Sequence, residues 1–348
     1  MIPFVIFFAI LFVVAAEIAS RREDLRHLHI SFDLDTRLVE PGEVVCLRYS
    51  VSNTSRLPLL YAGLTLRLDP AFQVCEDEEW MRSHAAVDFT GTRIDHHFYL
   101  LPRRKFSGKL RFSVKERGLH EFGRYYLESG DYLGLHPVIR EGDLDLRIIC
   151  TAPTCDTPEF EVLGGELGKV SVRRFILDDP SLILGYRDYS GREPMKQISW
   201  NQTAKAGHLM VRQNDFTTDR IAEVIVNMDP THAPWMERCL CLTRTVCERL
   251  EAQKIPYSLR SNGDLFSLPE GLGKGHLFFV QRRLGLSRHT GFTGFSALID
   301  RCILQRRMSC TYIVITPTKD ENFLAALNRL RRYTDREPVI LCGEECNA

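Results

Sequence analysis

Hydrophobic residues change their spacing twice along this 348-residue chain, and each spacing predicts a different kind of element. Residues 1–16, MIPFVIFFAILFVVAA, form one uncharged apolar run, followed by Glu17 and then the Arg21-Arg22 pair. A helix rises about 1.5 Å per residue, so a segment ending at residue 20 reaches about 30 Å, the thickness of a bilayer's hydrocarbon core. From Leu28 to Cys150 apolar and polar positions alternate in short stretches, the period of half-buried strands. Two such runs flank the turn Glu40-Pro41-Gly42-Glu43, and others follow at 61–68, 93–100, 108–114, 125–127 and 144–150. About seven short strands separated by turns predict an all-β sandwich of immunoglobulin or fibronectin type, here without the Cys-Trp-Cys pattern of a true immunoglobulin domain. The third spacing begins at residues 221–228, IAEVIVNM, a nearly continuous apolar strand. Helices are predicted over 234–253, 276–285, 294–308 and 322–333, and strands over 257–261, 311–316 and 338–342. Apolar strands alternating with amphipathic helices predict a parallel, doubly wound α/β sheet.

The reading is therefore of a multi-domain chain: an N-terminal membrane helix (1–20), a β-sandwich (24–152), a connecting segment (153–220) and a Rossmann-like α/β domain (221–348). Composition sharpens it in two ways. Lys plus Arg and Asp plus Glu each total 45, so no global field draws in nucleic acid. The eleven cysteines are an odd number, many of them in apolar runs such as those ending at Cys150 and Cys342. They read as reduced core thiols rather than a disulfide framework. Arg21, Arg22 and Arg26 follow the apolar run and no basic residue precedes it, which places the remainder of a single-pass protein in the cytoplasm. The rival, a signal peptide cleaved after the small residues that end the run, lacks a basic first segment.

The connecting segment carries the most distinctive motif. Residues 185–214, GYRDYSGREPMKQISWNQTAKAGHLMVRQN, mix charged, aromatic and glycine positions with little strand or helix period, and predict a segment wrapping a domain edge. They resemble the signature of domain of unknown function 58, roughly G-x-x-Y-x-x-G-D-x-x-R-x-I-D-W-x-x-S-A-r-x-G-x-L-x-V-R, which precedes a von Willebrand factor A-like (vWA-like) fold. The frame is kept at Tyr189, Ile198, Trp200, Gly207, Leu209, Val211 and Arg212, while Arg192, Lys196, Ser199 and Thr203 depart from it. Residues 51–59, VSNTSRLPL, and 115–135, KERGLHEFGRYYLESGDYLGL, are similar to the sandwich that precedes the signature. The resemblance implies a prokaryotic, membrane-tethered sandwich plus vWA-like domain. It also implies a non-catalytic adaptor or assembly factor without a cofactor, working with MoxR-type AAA+ ATPases or other vWA proteins. Tyr186, Arg187, Tyr189 and Trp200, with Gly207 and Arg212, are then the candidate interaction residues. Packing offers a competing account, in which the tryptophan docks the segment on the sheet and an arginine bonds backbone.

A second function class rests on the end of the first apolar strand. The vWA fold usually places Asp-x-Ser-x-Ser there to hold a divalent cation, and this chain has Asp229-Pro230-Thr231-His232-Ala233. Asp229 and Thr231 remain as oxygen donors, Ala233 offers none, and Thr316-Pro317-Thr318 stands where a later Ser-Asp is expected. Two oxygens leave a hard cation mostly hydrated, so no metal is assigned. The same loop is the place for a small ligand or a hydrolytic site, and the plainer expectation is that Asp229 caps the helix near Pro234 or bonds its own loop. Gly271-Leu272-Gly273-Lys274-Gly275 lacks phosphate-loop spacing, and the terminal Cys342 and Cys346 would need two more zinc ligands. No local pattern joins His120, His208, His232 or His276 to a nucleophilic cysteine.

Overall fold

The computed structural model describes residues 2–22, 25–131, 136–155, 178–189, 198–216, 221–305, 310–334 and 337–344. The chain divides into two compact units, 1–153 with 281–287, and 154–280 with 288–348.

The first unit opens with α1 (Ile2–Arg22). Its described apolar side chains are exposed, with Phe4 at 71% and Phe12 at 75%. Among the described residues, no helix is long and apolar enough to cross a membrane. The side chains of residues 2, 3, 5, 16 and 19–22 lie outside that description. Twelve strands follow: β1 (Leu28–Leu34), β2 (Leu38–Val39), β3 (Val44–Asn53), β4 (Leu59–Leu68), β5 (Phe72–Val74), β6 (Ala85–Asp88), β7 (Gly91–Leu100), β8 (Lys105–Val114), β9 (Gly118–Glu121), β10 (Arg124–Ser129), β11 (Val138–Asp143) and β12 (Arg147–Cys150). One helix, α2 (Glu78–His84), precedes β6. An antiparallel sheet β1-β3-β8-β5 and a second, β11-β10-β4-β7-β6, supply one core, with a small sheet β2-β12-β9 beside them. Alternate residues point inward, as the sequence predicts: Leu64, Leu66 and Leu68 on β4 and Leu110 and Phe112 on β8 are fully buried. Each such side chain contributes about 1.5–3 kcal/mol. Helix α2 escaped the sequence reading because it buries none of its residues. It is held by charge order, with Glu78 and Glu79 in the first turn and Arg82 and His84 in the last.

The second unit contains β13 (Asp178–Asp188), α3 (Trp200–Ala206) and β14 (Met210–Phe216), then β15 (Ile221–Val226), α4 (Ala233–Ala252), β16 (Tyr257–Ser261) and β17 (Leu268–Gly271). Helix α5 (Lys274–Leu286) runs on into 281–287, and α6 (Phe295–Leu304), β18 (Cys310–Thr316), α7 (Glu321–Tyr333) and β19 (Val339–Cys342) complete the chain. The signature segment departs from expectation: β13 and β14 pair antiparallel, with Tyr186 opposite Arg212 and Asp188 opposite Met210. The strand period is hard to see in the sequence because α3 interrupts the hairpin. Gly191, Arg192 and Lys196 lie outside the described residues.

The larger sheet has the order β17-β16-β15-β18-β19, with β16, β15, β18 and β19 parallel and β17 antiparallel at the edge. Every residue of β18 is buried, so both of its faces are covered. On one face Tyr312 and Val314 meet Phe295, Leu298 and Ile299 of α6 and Phe323, Leu327 and Leu330 of α7. The chain steps from β15 to β16 on one side and returns to β18 on the other. Such a reversal opens a crevice at the carboxyl ends of the strands.

Candidate functional site

The crevice holds a cavity of about 540 Å³ whose walls include Asn227, Asp229, Asn262, Thr293, Asp320 and Arg329. Its floor is organised by one amide. Asn262 follows β16 and is buried, and its Oδ1 accepts the Met228 N–H at 2.7 Å. Its Nδ2 donates to the carbonyls of Thr293 at 2.8 Å and Met228 at 3.2 Å, so it ties the loop after β15 to the loop before α6. The Asn262 carbonyl also accepts from the N–H groups of Phe292 and Thr293. Beside it, Asn227 Nδ2 donates to Thr316 Oγ1 at 3.1 Å, and Thr316 Oγ1 donates to the Thr318 carbonyl at 2.8 Å. The loops meet so closely that a Cβ on Gly263 would lie 2.2 Å from the Thr290 carbonyl.

Asp229 lines the cavity at its rim, and it and Thr231 are turned toward each other. Asp229 Oδ1 accepts from Thr231 N–H at 3.0 Å and from Thr231 Oγ1 at 2.6 Å. His232 Nδ1 lies 3.0 Å from Asp229 Oδ2. Burial pushes the Asp229 carboxyl up, but the bonds from Thr231 and His232 outweigh it and hold the group below the usual carboxylate range. Asp229 therefore bonds its own loop, one of the two structural roles expected of it. The other does not hold: helix α4 starts at Ala233 with His232 at its N-cap, and no side chain caps it. Thr316, expected near a ligand, is fully buried and spent on Asn227 and Thr318. Among the described residues the side chains grouped as for metal ligation are Glu17, Asp131 and His136, in the first unit rather than at Asp229. Sequence reasoning passed over Asn262 and Thr293 because a single asparagine after a strand and a Thr-Gly pair before a helix read as ordinary turn chemistry.

The signature hairpin is built differently. Ile198 and Val211 form an isolated bridge and are both buried, Ser199 N–H bonds the Met210 carbonyl at 2.8 Å, and Thr203 Oγ1 accepts from Met210 N–H at 3.0 Å. Gly207 closes α3 with φ +75°, a left-handed conformation that glycine adopts without a side-chain clash. His208 Nε2 approaches Asp188 Oδ1 at 2.7 Å. These contacts account for the frame residues Ile198, Gly207 and Val211 by local structure. They leave Trp200 out. Its side chain is 62% exposed at the first position of α3, so the expectation that the tryptophan docks the segment on the sheet is corrected. Tyr186 and Arg187 on β13 are exposed as well, Tyr189 is half-buried, and Leu209 is 40% exposed. Arg212 lies on β14 and its side chain is outside the described set.

No protein-family model matches the chain, and no curated protein does. Among solved structures it is similar to the major pilin subunit BcpA of Bacillus cereus, at 11% identity over 36% of this chain and 41% of that one, with a TM-score of 0.27. It is also similar to the CARDB domain of a Pyrococcus furiosus protein solved with di-metal ions, at 7% identity over 35% of this chain and 91% of that one, with a TM-score of 0.22. A GH20 exo-β-N-acetylglucosaminidase from Vibrio harveyi is similar over 87% of this chain and 60% of its own, at 12% identity and a TM-score of 0.26.

Proposed function

We propose that this chain is a non-catalytic adaptor or assembly factor that engages a protein partner through the exposed face of the signature hairpin. The observation that carries the reading is the exposure of Trp200, 62%, on the same hairpin as exposed Tyr186 and Leu209. Large aromatic side chains left in water are the residues that anchor protein interfaces. The sequence resemblance supplies the partner class, a MoxR-type AAA+ ATPase or another vWA protein. The same resemblance supports a sandwich of immunoglobulin or fibronectin type and a vWA-like second domain, with which the parallel order β16-β15-β18-β19 agrees. In this proposal α1 holds the chain at the cell membrane, with the β-sandwich and the α/β domain on the cytoplasmic side. Support comes from the uncharged run of residues 1–16 and the exposed Phe4, Phe7, Phe8 and Phe12.

The test is crosslinking in native membranes followed by mass spectrometry, with Trp200→Ala beside the wild type. An ATPase or vWA protein captured by the wild type and lost from the folded variant is the expected result. Equal capture by both removes the hairpin from the interface, and capture of neither class removes the partner assignment.

One observation favours a second reading, a small-ligand or divalent-metal site: the cavity of about 540 Å³ lies where open parallel sheets bind ligands. Calorimetry with magnesium, manganese and calcium on wild type and Asp229→Ala separates the two classes, since heat in the wild type alone belongs to the metal site.

A further inference from the structure

The described cysteines fall into two kinds. Cys150, Cys239, Cys247, Cys302, Cys310 and Cys342 are buried, and Cys46, Cys75, Cys155 and Cys241 are half-buried. Burial, with Glu248 nearby, pushes the Cys247 thiol up, and burial together with Glu223 takes Cys302 up to about 12, as expected of inert core thiols. Cys155 and Cys241 are half-buried and face each other. Their approach follows from the backbone. The Cys155 N–H donates to Thr245 Oγ1 at 3.0 Å, and Thr245 Oγ1 donates to the Cys241 carbonyl one turn back on α4 at 2.9 Å. This places Cys155 against the turn that bears Cys241, and the two thiols are in hydrogen-bond contact. The bond to Cys241, aided by burial, pushes the Cys155 thiol up, and the Arg238 guanidinium, one turn before Cys241 on the same helix, opposes that shift. Two thiols in contact beside a guanidinium are placed for one to ionise and the other to resolve.

We propose that Cys155 and Cys241 form a reversible, redox-sensitive dithiol pair, one thiol attacking and the other resolving. The oxidant is a low-molecular-weight disulfide. One of the two gives its proton to solvent, its thiolate attacks one sulfur of that disulfide, a sulfur–sulfur bond forms, and one small thiolate leaves. The other then gives its proton to solvent, its thiolate attacks the first protein sulfur, and the second small thiolate leaves. Two protein thiols and one small disulfide become one protein disulfide and two small thiols. The product fastens the chain at residue 155, immediately before residues 156–177, to α4 and so fixes where the connection toward the signature hairpin begins. This inference is independent of the adaptor reading and stands or falls without it.

The experiment treats the full-length protein, undenatured, with oxidised glutathione and maps cysteines by peptide mass spectrometry after blocking free thiols. The expected result is a Cys155–Cys241 crosslinked peptide that dithiothreitol removes, with the buried cysteines still free. Cys155→Ser and Cys241→Ser each give no crosslink, and glutathione accumulates on the remaining thiol of the variant that keeps the attacking one. The proposal is overturned if the wild type yields no Cys155–Cys241 peptide, or yields it only in denaturant. The wild-type mapping needs no substitution, so a variant that folds poorly does not obscure the result.

Discussion

The rim of the cavity and the signature hairpin belong to the same unit, yet they treat their functional-looking side chains in opposite ways. At the rim, polar groups are turned inward and consumed: Asn262, Asn227 and Thr316 are buried and bonded, and Asp229 is bonded by Thr231 and His232. On the hairpin, polar and backbone groups settle the local fold, and Trp200 and Tyr186 are left in water. Chemistry-bearing residues at a strand's carboxyl end are thus not by themselves a sign of a reactive site. Here the acid that looks catalytic in sequence has structural work, whereas the tryptophan that looks structural has none.

The largest effect is expected where the rim depends on one side chain. Asn262→Ala leaves the buried N–H and carbonyl of Met228 and the Thr293 carbonyl without their partner, which costs about 3 kcal/mol of stability after partial relaxation. Urea unfolding measures it. A loss of only a few tenths would mean that the loops after β15 and before α6 hold each other without this amide, and the contrast drawn above would fail at its strongest point.

The two regions also differ in how much of them can be read from sequence. The parallel sheet was legible because a strand buried on both faces must be apolar throughout. The predicted 257–261 coincides with β16, and 221–228, 311–316 and 338–342 lie within two residues of β15, β18 and β19. The sandwich was legible from alternation at β4, β7 and β8. Short edge strands such as β5 and β17 were not, since three or four residues carry too little period. The hairpin was missed for a different reason: its two strands are separated by a helix, and pairing between segments that far apart leaves no local pattern. Asn262 was invisible because its importance lies in three partners from other loops.

Next in size is Gly207, whose φ of +75° a side chain adopts only with strain. Gly207→Ala should cost about 1 kcal/mol by strain at the end of α3. Thermal unfolding of the full chain reads this, and an unchanged midpoint would show that the hairpin's fold tolerates a different helix end. Smaller still is the contribution of Asp229 to acid stability. Its carboxyl is held below the ordinary value of 3.8, so its stabilising interactions are fully present above that pH and disappear as pH falls through the lower folded value. Below about pH 4 the wild type should therefore lose stability faster than Asp229→Asn. Parallel acid limbs for the two proteins would leave Asp229 without its loop-holding role and return it to the list of groups available to a ligand.

The smallest effect on stability is expected at Trp200, and it decides most about function. Its side chain is 62% exposed and heads a seven-residue helix that buries none of its residues, so Trp200→Ala should change unfolding free energy by no more than about 0.5 kcal/mol. A tryptophan that docked the segment on the sheet would instead cost about 3 kcal/mol or more when truncated. The two accounts of the signature thus predict stability changes several-fold apart from one denaturation curve, before any partner is known. If the curve barely moves and crosslinking to the partner is lost, the hairpin is a surface whose fold is independent of its aromatic side chain. Retained crosslinking with unchanged stability would leave Tyr186 and Leu209 as the remaining anchors on that face, and the double substitution Tyr186→Ala with Leu209→Ala would then be the variant that must lose the partner.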